Sequence, residues 1–137
     1  MRMVERARVL HTRLFTVGIV LRGRNILVLR RRQDDDTYPG LWDCVGGHFE
    51  KGESAEACVL REVHEESGLS PEVLKVGRLI EYRDEYGRSL AVPFLLGSGS
   101  GVPKLSEHTS CRWVTPAEAR KLEAVPGLRL AVDGFGL

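Results

Sequence analysis

Three glutamates, Glu62, Glu65 and Glu66, stand at i, i+3 and i+4 within the run Ala55 to Ser67. At about 100° per residue, a helix there carries all three carboxylates on one arc. Like charges at this spacing cost about 0.2–0.5 kcal/mol per pair. The commoner fate of such a stripe is a solvated face. The chemical alternative is a metal site, because Mg2+ and Mn2+ prefer oxygen ligands and bridge carboxylates to substrate phosphates. The turn Gly46-Gly47, the loop His48 to Gly52 and a further acid, Glu53, precede the run at short range. That context favours the site.

The elements that must position these acids follow from punctuation and periodicity. Ser54 is an acceptable N-cap, Ala55 to Glu66 holds strong helix formers, and Ser67-Gly68 followed by Pro71 gives a stop. Val59, Leu60 and Val63 fall on the arc beside the carboxylates and are expected to face the core. Upstream, the apolar runs Leu14 to Leu21 and Ile26 to Leu29 flank the polar turn Arg22 to Asn25, a hairpin signal. Leu41 to Val45 is a short apolar segment leading into Gly46-Gly47. Downstream, Val73 to Arg83 and Leu90 to Leu96 read as strands around the turn Asp84 to Arg88. Gly97 to Gly101 is a flexible loop, and Cys111 to Val114 a short strand. Thr115-Pro116-Ala117-Glu118 combines a capping box with proline at the first helical position, so a helix starts there. A further short helix is expected around Leu128 to Val132. Interleaved strands and helices predict an α/β fold with a mixed sheet.

Composition bounds the partners. The chain has 137 residues, which suits one compact domain over 1–137. Its net charge is only +1, which argues against polymeric nucleic acid and membrane surfaces as partners by bulk electrostatics. A second copy of the chain is left open as a partner. Arg2, Arg6, Arg8 and Arg13 make the start basic, but the apolar run after them is rich in β-branched residues and lacks a small-residue cleavage site. It reads as a core strand. Cys44, Cys58 and Cys111 are an odd, scattered set that reads as reduced thiols of a cytoplasmic protein. Cys58 and Cys111 read as small buried hydrophobes.

From Gly47 the sequence runs GHFEKGESAEACVLREVHEESGL, ending at Leu69. This resembles the Nudix box, G-x5-E-x7-R-E-U-x-E-E-x-G-U with U a bulky aliphatic, at every fixed position: Gly47, Glu53, Arg61, Glu62, Val63, Glu65, Glu66, Gly68 and Leu69. Weaker similarity extends to Tyr38-Pro39-Gly40-Leu41-Trp42 upstream and to Glu107 and Arg112-Trp113-Val114 downstream. Val45 stands where many members carry proline. The resemblance implies a Nudix fold, an α/β/α sandwich around a mixed β-sheet with the box as a loop-helix-loop. It implies a hydrolase acting on acid anhydrides, with Mg2+ as cofactor and Mn2+ as the alternative. Glu62, Glu65, Glu66 and the Gly46 carbonyl would then be metal ligands. Glu53 and Arg61 would brace the loop against the helix, a structural role that fixes ligand geometry.

In such an enzyme a carboxylate takes a proton from the attacking water, and the base varies among subfamilies. The candidates here are Glu66, Glu62 and Glu107. Glu107 reads equally well as an ordinary loop acid. His108 reads as a surface side chain, and His64 as structural. Arg30, Arg31 and Arg32 supply guanidinium groups for phosphate. Alternation puts Arg30 and Arg32 on one face, and those two are taken as the substrate contacts. Tyr38, Trp42 and Phe49 are the aromatics nearest the presumed cleft, with core packing the commoner fate of Trp42 and Phe49.

The first expectation for substrate is a nucleoside triphosphate or modified nucleotide, cleaved at its pyrophosphate bond. ADP-ribose and dinucleoside polyphosphates are the alternatives. A proline that accompanies ADP-ribose specificity in the family is missing from Asp84 to Tyr86, while Tyr86 falls where dinucleoside polyphosphate hydrolases often have a tyrosine. Two rival functions share the fold. Isopentenyl diphosphate isomerase would need a cysteine where Gly46 stands, and a non-catalytic nucleotide sensor would be expected to lack box carboxylates.

Overall fold

The computed structural model describes residues 12–137, so Arg2, Arg6 and Arg8 of the basic start lie outside the described residues. Strand β1 (Thr12–Arg22) turns into β2 (Asn25–Arg30) as an antiparallel hairpin, with Leu21 opposite Ile26. The long β6 (Gly87–Gly97) lies parallel to β1 from Thr12↔Arg88 to Leu21↔Gly97. β3 (Trp42–Asp43) and β7 (Ser110–Val114) flank β2, while β4 (Glu72–Val76) and β5 (Ile80–Asp84) both pair with β6. Together they make a seven-stranded mixed sheet.

The single strand expected over Val73 to Arg83 is in fact two. Gly77 N–H donates to Pro93 O at 2.8 Å, so Pro93 turns its carbonyl toward this edge. In a strand the N–H of a residue faces the same neighbour as its C=O, and proline has no N–H to give. The ladder therefore breaks between β4 and β5. A side chain at Gly77 would also strike Pro93 and Phe135, its Cβ falling 2.9 Å from Pro93 Cγ.

Alternation on the strands sorts the core into two layers. Val17, Ile19, Ile26 and Val28 face one side, where Leu128, Ala131 and Val132 of a helix over Pro126–Gly134 cover them. Val20, Leu27, Leu29, Phe94 and Leu96 face the other, against Val59 and Val63 of the helix Ala55–Ser67. Each such side chain, fully buried, contributes about 1.5–3 kcal/mol. In chain order these helices are α1 (Ala55–Ser67), α2 (Pro116–Ala119) and α3 (Pro126–Gly134). Helix α2 has the expected capping box, Thr115 with Glu118, but closes after one turn. The architecture is an α/β/α sandwich.

One irregularity positions the site. Beyond the hairpin β1 and β2 diverge, and the segment from Trp42 to His48 enters between them. Leu29 pairs with Asp43 on the β2 side, while Gly18 bridges Val45 and Phe15 bridges His48 on the β1 side. Gly18 N–H donates to Val45 O at 2.6 Å and Thr16 N–H to Gly47 O at 2.9 Å. Gly46 and Gly47 are thereby held at the split in the sheet, against α1.

Candidate active site

Helix α1 begins at Ser54, whose hydroxyl accepts from Ala57 N–H at 3.1 Å, and ends at Gly68 in the left-handed conformation with φ 73°. Cys58, Val59, Val63 and Ser67 are buried along one side. The next arc carries Glu62, Glu65 and Glu66, all lining a cavity of about 610 Å3. Gly46, Gly47, Glu107 and His108 line the same cavity. Glu56 and His64 are exposed, away from it.

Glu66 is the most constrained of the three. Its Oε1 accepts Gly46 N–H at 2.9 Å, and its side chain is only 14% exposed. Gly46 has φ 139°, and a Cβ there would fall 2.1 Å from Thr16 O, so no other residue fits this bridge. Burial pushes the Glu66 carboxyl well above the usual carboxylate range, with Asp43, Glu62 and Glu107 adding repulsion. Burial also raises Glu62, partly offset by Arg61.

Arg61 joins the loop to the helix. Its Nε donates to Glu53 Oε2 at 2.7 Å and its Nη2 to Glu53 Oε1 at 3.0 Å and to His48 O at 3.0 Å. Glu53 in turn accepts Glu50 N–H at 3.0 Å. The guanidinium hydrogen bonds hold the Glu53 carboxyl down at about 2. Arg61 Nη1 also reaches Glu62 Oε1 at 2.8 Å and Glu65 Oε2 at 3.1 Å. These bonds draw two of the three carboxylates toward the brace, and among the described residues no three acids, histidines or cysteines stand at metal-ligand spacing.

The donor set nevertheless fits a hard divalent cation. Carboxylates from three positions of one helix open onto one cavity, and two of them are held above their ordinary range by burial. A cation would relieve that repulsion and compete with Arg61 for Glu62 and Glu65.

The rest of the lining corrects the expectation for the arginines. Arg30 does not line the cavity: it donates to Gly40 O at 3.1 Å and stacks over Trp42, as does Arg112. Arg31 and Arg32 do line it. Arg31 donates to Asp43 Oδ2 at 3.0 Å and to Thr37 O and Oγ1, each at 2.9 Å, whereas Arg32 pairs with Asp34 on the surface. The parity of β2 carried the signal. Leu27 and Leu29 face α1, so the next residue of that parity is Arg31.

Tyr38 lines the cavity, with its hydroxyl donating to Asp84, its ring edge-on to Tyr86 at 4.6 Å, and Arg13 over both rings. Trp42 and Phe49 are not among the lining residues. Glu107 is exposed at the rim. His108 is the second correction. It is no surface side chain, being 9% exposed with Nδ1 3.7 Å from Glu66 Oε2. Asp43, which no motif or spacing singles out, joins Arg31 at the cavity wall.

A family model described as NUDIX domain matches residues 12–134. A "MutT-like protein" of Streptomyces ambofaciens is 34% identical over 123 residues, covering 87% of this chain and 76% of the relative. An "ADP-ribose pyrophosphatase" of Methanocaldococcus jannaschii is 32% identical, covering 64% of this chain and 52% of its own length. Among solved structures, the crystal structure of a MutT protein from Methanosarcina mazei Go1 superposes with a TM-score of 0.78 at 26% identity, covering 91% of each chain.

Proposed function

The chain belongs to the NUDIX domain family and is a hydrolase of pyrophosphate bonds, and on that premise we propose that it cleaves a nucleoside triphosphate or modified nucleotide between phosphates. The observation that carries this reading is the opening of Glu62, Glu65 and Glu66 onto one cavity that Arg31 and Arg32 also line. Acidic and basic groups lining one cavity suit a polyphosphate chain held by a cation and by guanidinium.

Family members use divalent metals, and here Mg2+, or Mn2+ as the alternative, would be held by Glu62, Glu65, Glu66 and the Gly46 carbonyl. When bound, such an ion neutralises phosphate charge, orients the phosphates and makes water more acidic. The chain's own residues do the rest. Gly46 N–H fixes one oxygen of Glu66, leaving Oε2 toward the cavity. Glu66, Glu62 or Glu107 accepts the water's proton. The Glu53–Arg61 brace holds loop to helix while the ligands are engaged. Tyr38, with Arg13 and Tyr86, offers an aromatic and cationic wall for the nucleoside.

The match to the M. jannaschii protein favours ADP-ribose as the second reading. We further take residues 1–137 as one domain acting in the cytoplasm on a small nucleotide. No helix among the described residues is long and apolar enough to cross a membrane.

The test is a substrate panel of nucleoside triphosphates, ADP-ribose, sugar nucleotides and dinucleoside polyphosphates, assayed with Mg2+ and Mn2+. Glu65→Gln and Glu66→Gln serve as controls. A triphosphate as best substrate, with both variants impaired, supports the reading. Variants as active as the wild type would overturn the mechanism, and ADP-ribose as best substrate would replace the proposed substrate with the second reading.

A further inference from the structure

His108 is buried beside Glu66 with one ring nitrogen unpartnered. The loop before β7 is tied down next to it, with Thr109 N–H donating to Arg30 O at 3.0 Å, and the ring lines the cavity. Its side chain is 91% buried (9% exposed), and its Nδ1 has no hydrogen-bond partner. Leaving a buried polar atom unpaired costs about 1–3 kcal/mol. Glu66 Oε2 stands 3.7 Å from it, about 0.5 Å beyond hydrogen-bond range. That gap is too narrow for a bridging water. The other oxygen of the same carboxylate is already fixed by Gly46 N–H.

We propose that His108 is a positioning residue for Glu66, its Nδ1–H closing onto Oε2 so that the carboxylate is held between a backbone donor and a side-chain donor. The assignment rests on Glu66 being a metal ligand, as read above. It explains why a polar ring is buried here with one nitrogen idle and turned toward the site. A carboxylate gripped from both sides keeps its plane when charge arrives, and partners of this kind typically govern metal affinity by about 10–100-fold.

The test uses the whole chain and the metal alone. Mn2+ affinity is read from the EPR signal of free ion for wild type, His108→Leu and His108→Asn, with Tm measured for each. The asparagine amide places an N–H near the position of Nδ1, whereas leucine fills the space without a donor. The proposal expects Mn2+ binding about tenfold or more weaker in His108→Leu and within about threefold of wild type in His108→Asn, at similar Tm. On the best substrate, kcat should follow the same order with KM little changed. Equal Mn2+ affinity in wild type and His108→Leu would overturn the positioning role alone. A loss in both variants that follows their Tm would also overturn it, leaving packing as the role. A wild type that binds no Mn2+ would overturn the ligand assignment and this inference with it.

Discussion

Arg61 and Glu53 face each other as a two-bond pair, Nε to Oε2 at 2.7 Å and Nη2 to Oε1 at 3.0 Å, across the junction between the glycine-rich loop and the first turns of α1. Glu53 is 12% exposed on its side chain, so the pair is shielded enough to matter. The same guanidinium continues to Glu62 and Glu65. One side chain therefore sets both the shape of the loop and the resting position of two carboxylates.

Replacing Glu53 by glutamine removes the charge and one of the two bonds. Hydrogen bonds to charged groups contribute about 1.5–3 kcal/mol, so Glu53→Gln should lose stability on that order. The pH dependence has a definite sign. The folded carboxyl is lowered from 4.5 to about 2, so its contribution is complete above pH 4.5 and is lost as pH falls through about 2. Denaturant midpoints of the two proteins should therefore converge across that window. A constant difference down to pH 2 would exclude the pair as the cause.

Glu66→Gln should separate stability from activity. The carboxylate is buried among Asp43, Glu62 and Glu107, and glutamine can still accept Gly46 N–H. Relief of about 1 kcal/mol corresponds to roughly 3–5 °C in a chain of this size, so Tm in the presence of EDTA should rise. Activity should fall by more than ~100-fold, since residues that merely orient ligands already cost 10–100-fold. Calorimetry and kcat on the best substrate check the two halves independently.

Arg30 and Arg31 differ in what they touch. Arg30→Ala removes a group stacked on Trp42 outside the cavity and should leave KM within about twofold, since an exposed stack is worth about 0.5–1 kcal/mol of stability and touches no substrate. Arg31→Ala breaks bonds to Asp43 and Thr37 at the cavity wall and should raise KM about tenfold or more. Arg31→Lys should not rescue it, because an ammonium cannot make the same fork. Equal effects of Arg30→Ala and Arg31→Ala on KM would contradict this division.

The sequence carried the acids of α1 clearly because helical period, capping residues and a long run of fixed positions all agree there. Glu62, Glu65 and Glu66 share an arc for the same geometric reason that buries Val59 and Val63 beside them. What was less legible lay where order depends on distant segments. Arg31 keeps the parity of Leu27 and Leu29 beyond the end of β2, but Arg32, of the opposite parity, lines the cavity too, so alternation alone does not sort the arginines there. His108 lies in a loop, and its burial beside Glu66 depends on tertiary packing that local spacing does not encode. The break between β4 and β5 needed Pro93, some sixteen positions away, to be known as the partner of Gly77.

Adjacent glycines should respond differently to the same added methyl. At Gly46 a Cβ would fall 2.1 Å from Thr16 O, a backbone atom of β1, at a φ of 139° that side chains rarely adopt. Gly46→Ala must move the split in the sheet, and a loss of about 3 kcal/mol or more in stability is expected. At Gly47 the Cβ would instead meet Glu62 Cδ at 2.5 Å, the end of a flexible side chain. Glu62 can swing away, so Gly47→Ala should cost about 1 kcal/mol or less while displacing a proposed metal ligand. Its activity should therefore fall out of proportion to its Tm. Measuring both variants side by side is decisive for the placement of Glu62: if Gly47→Ala kept full activity, that carboxylate would have no place in the reaction.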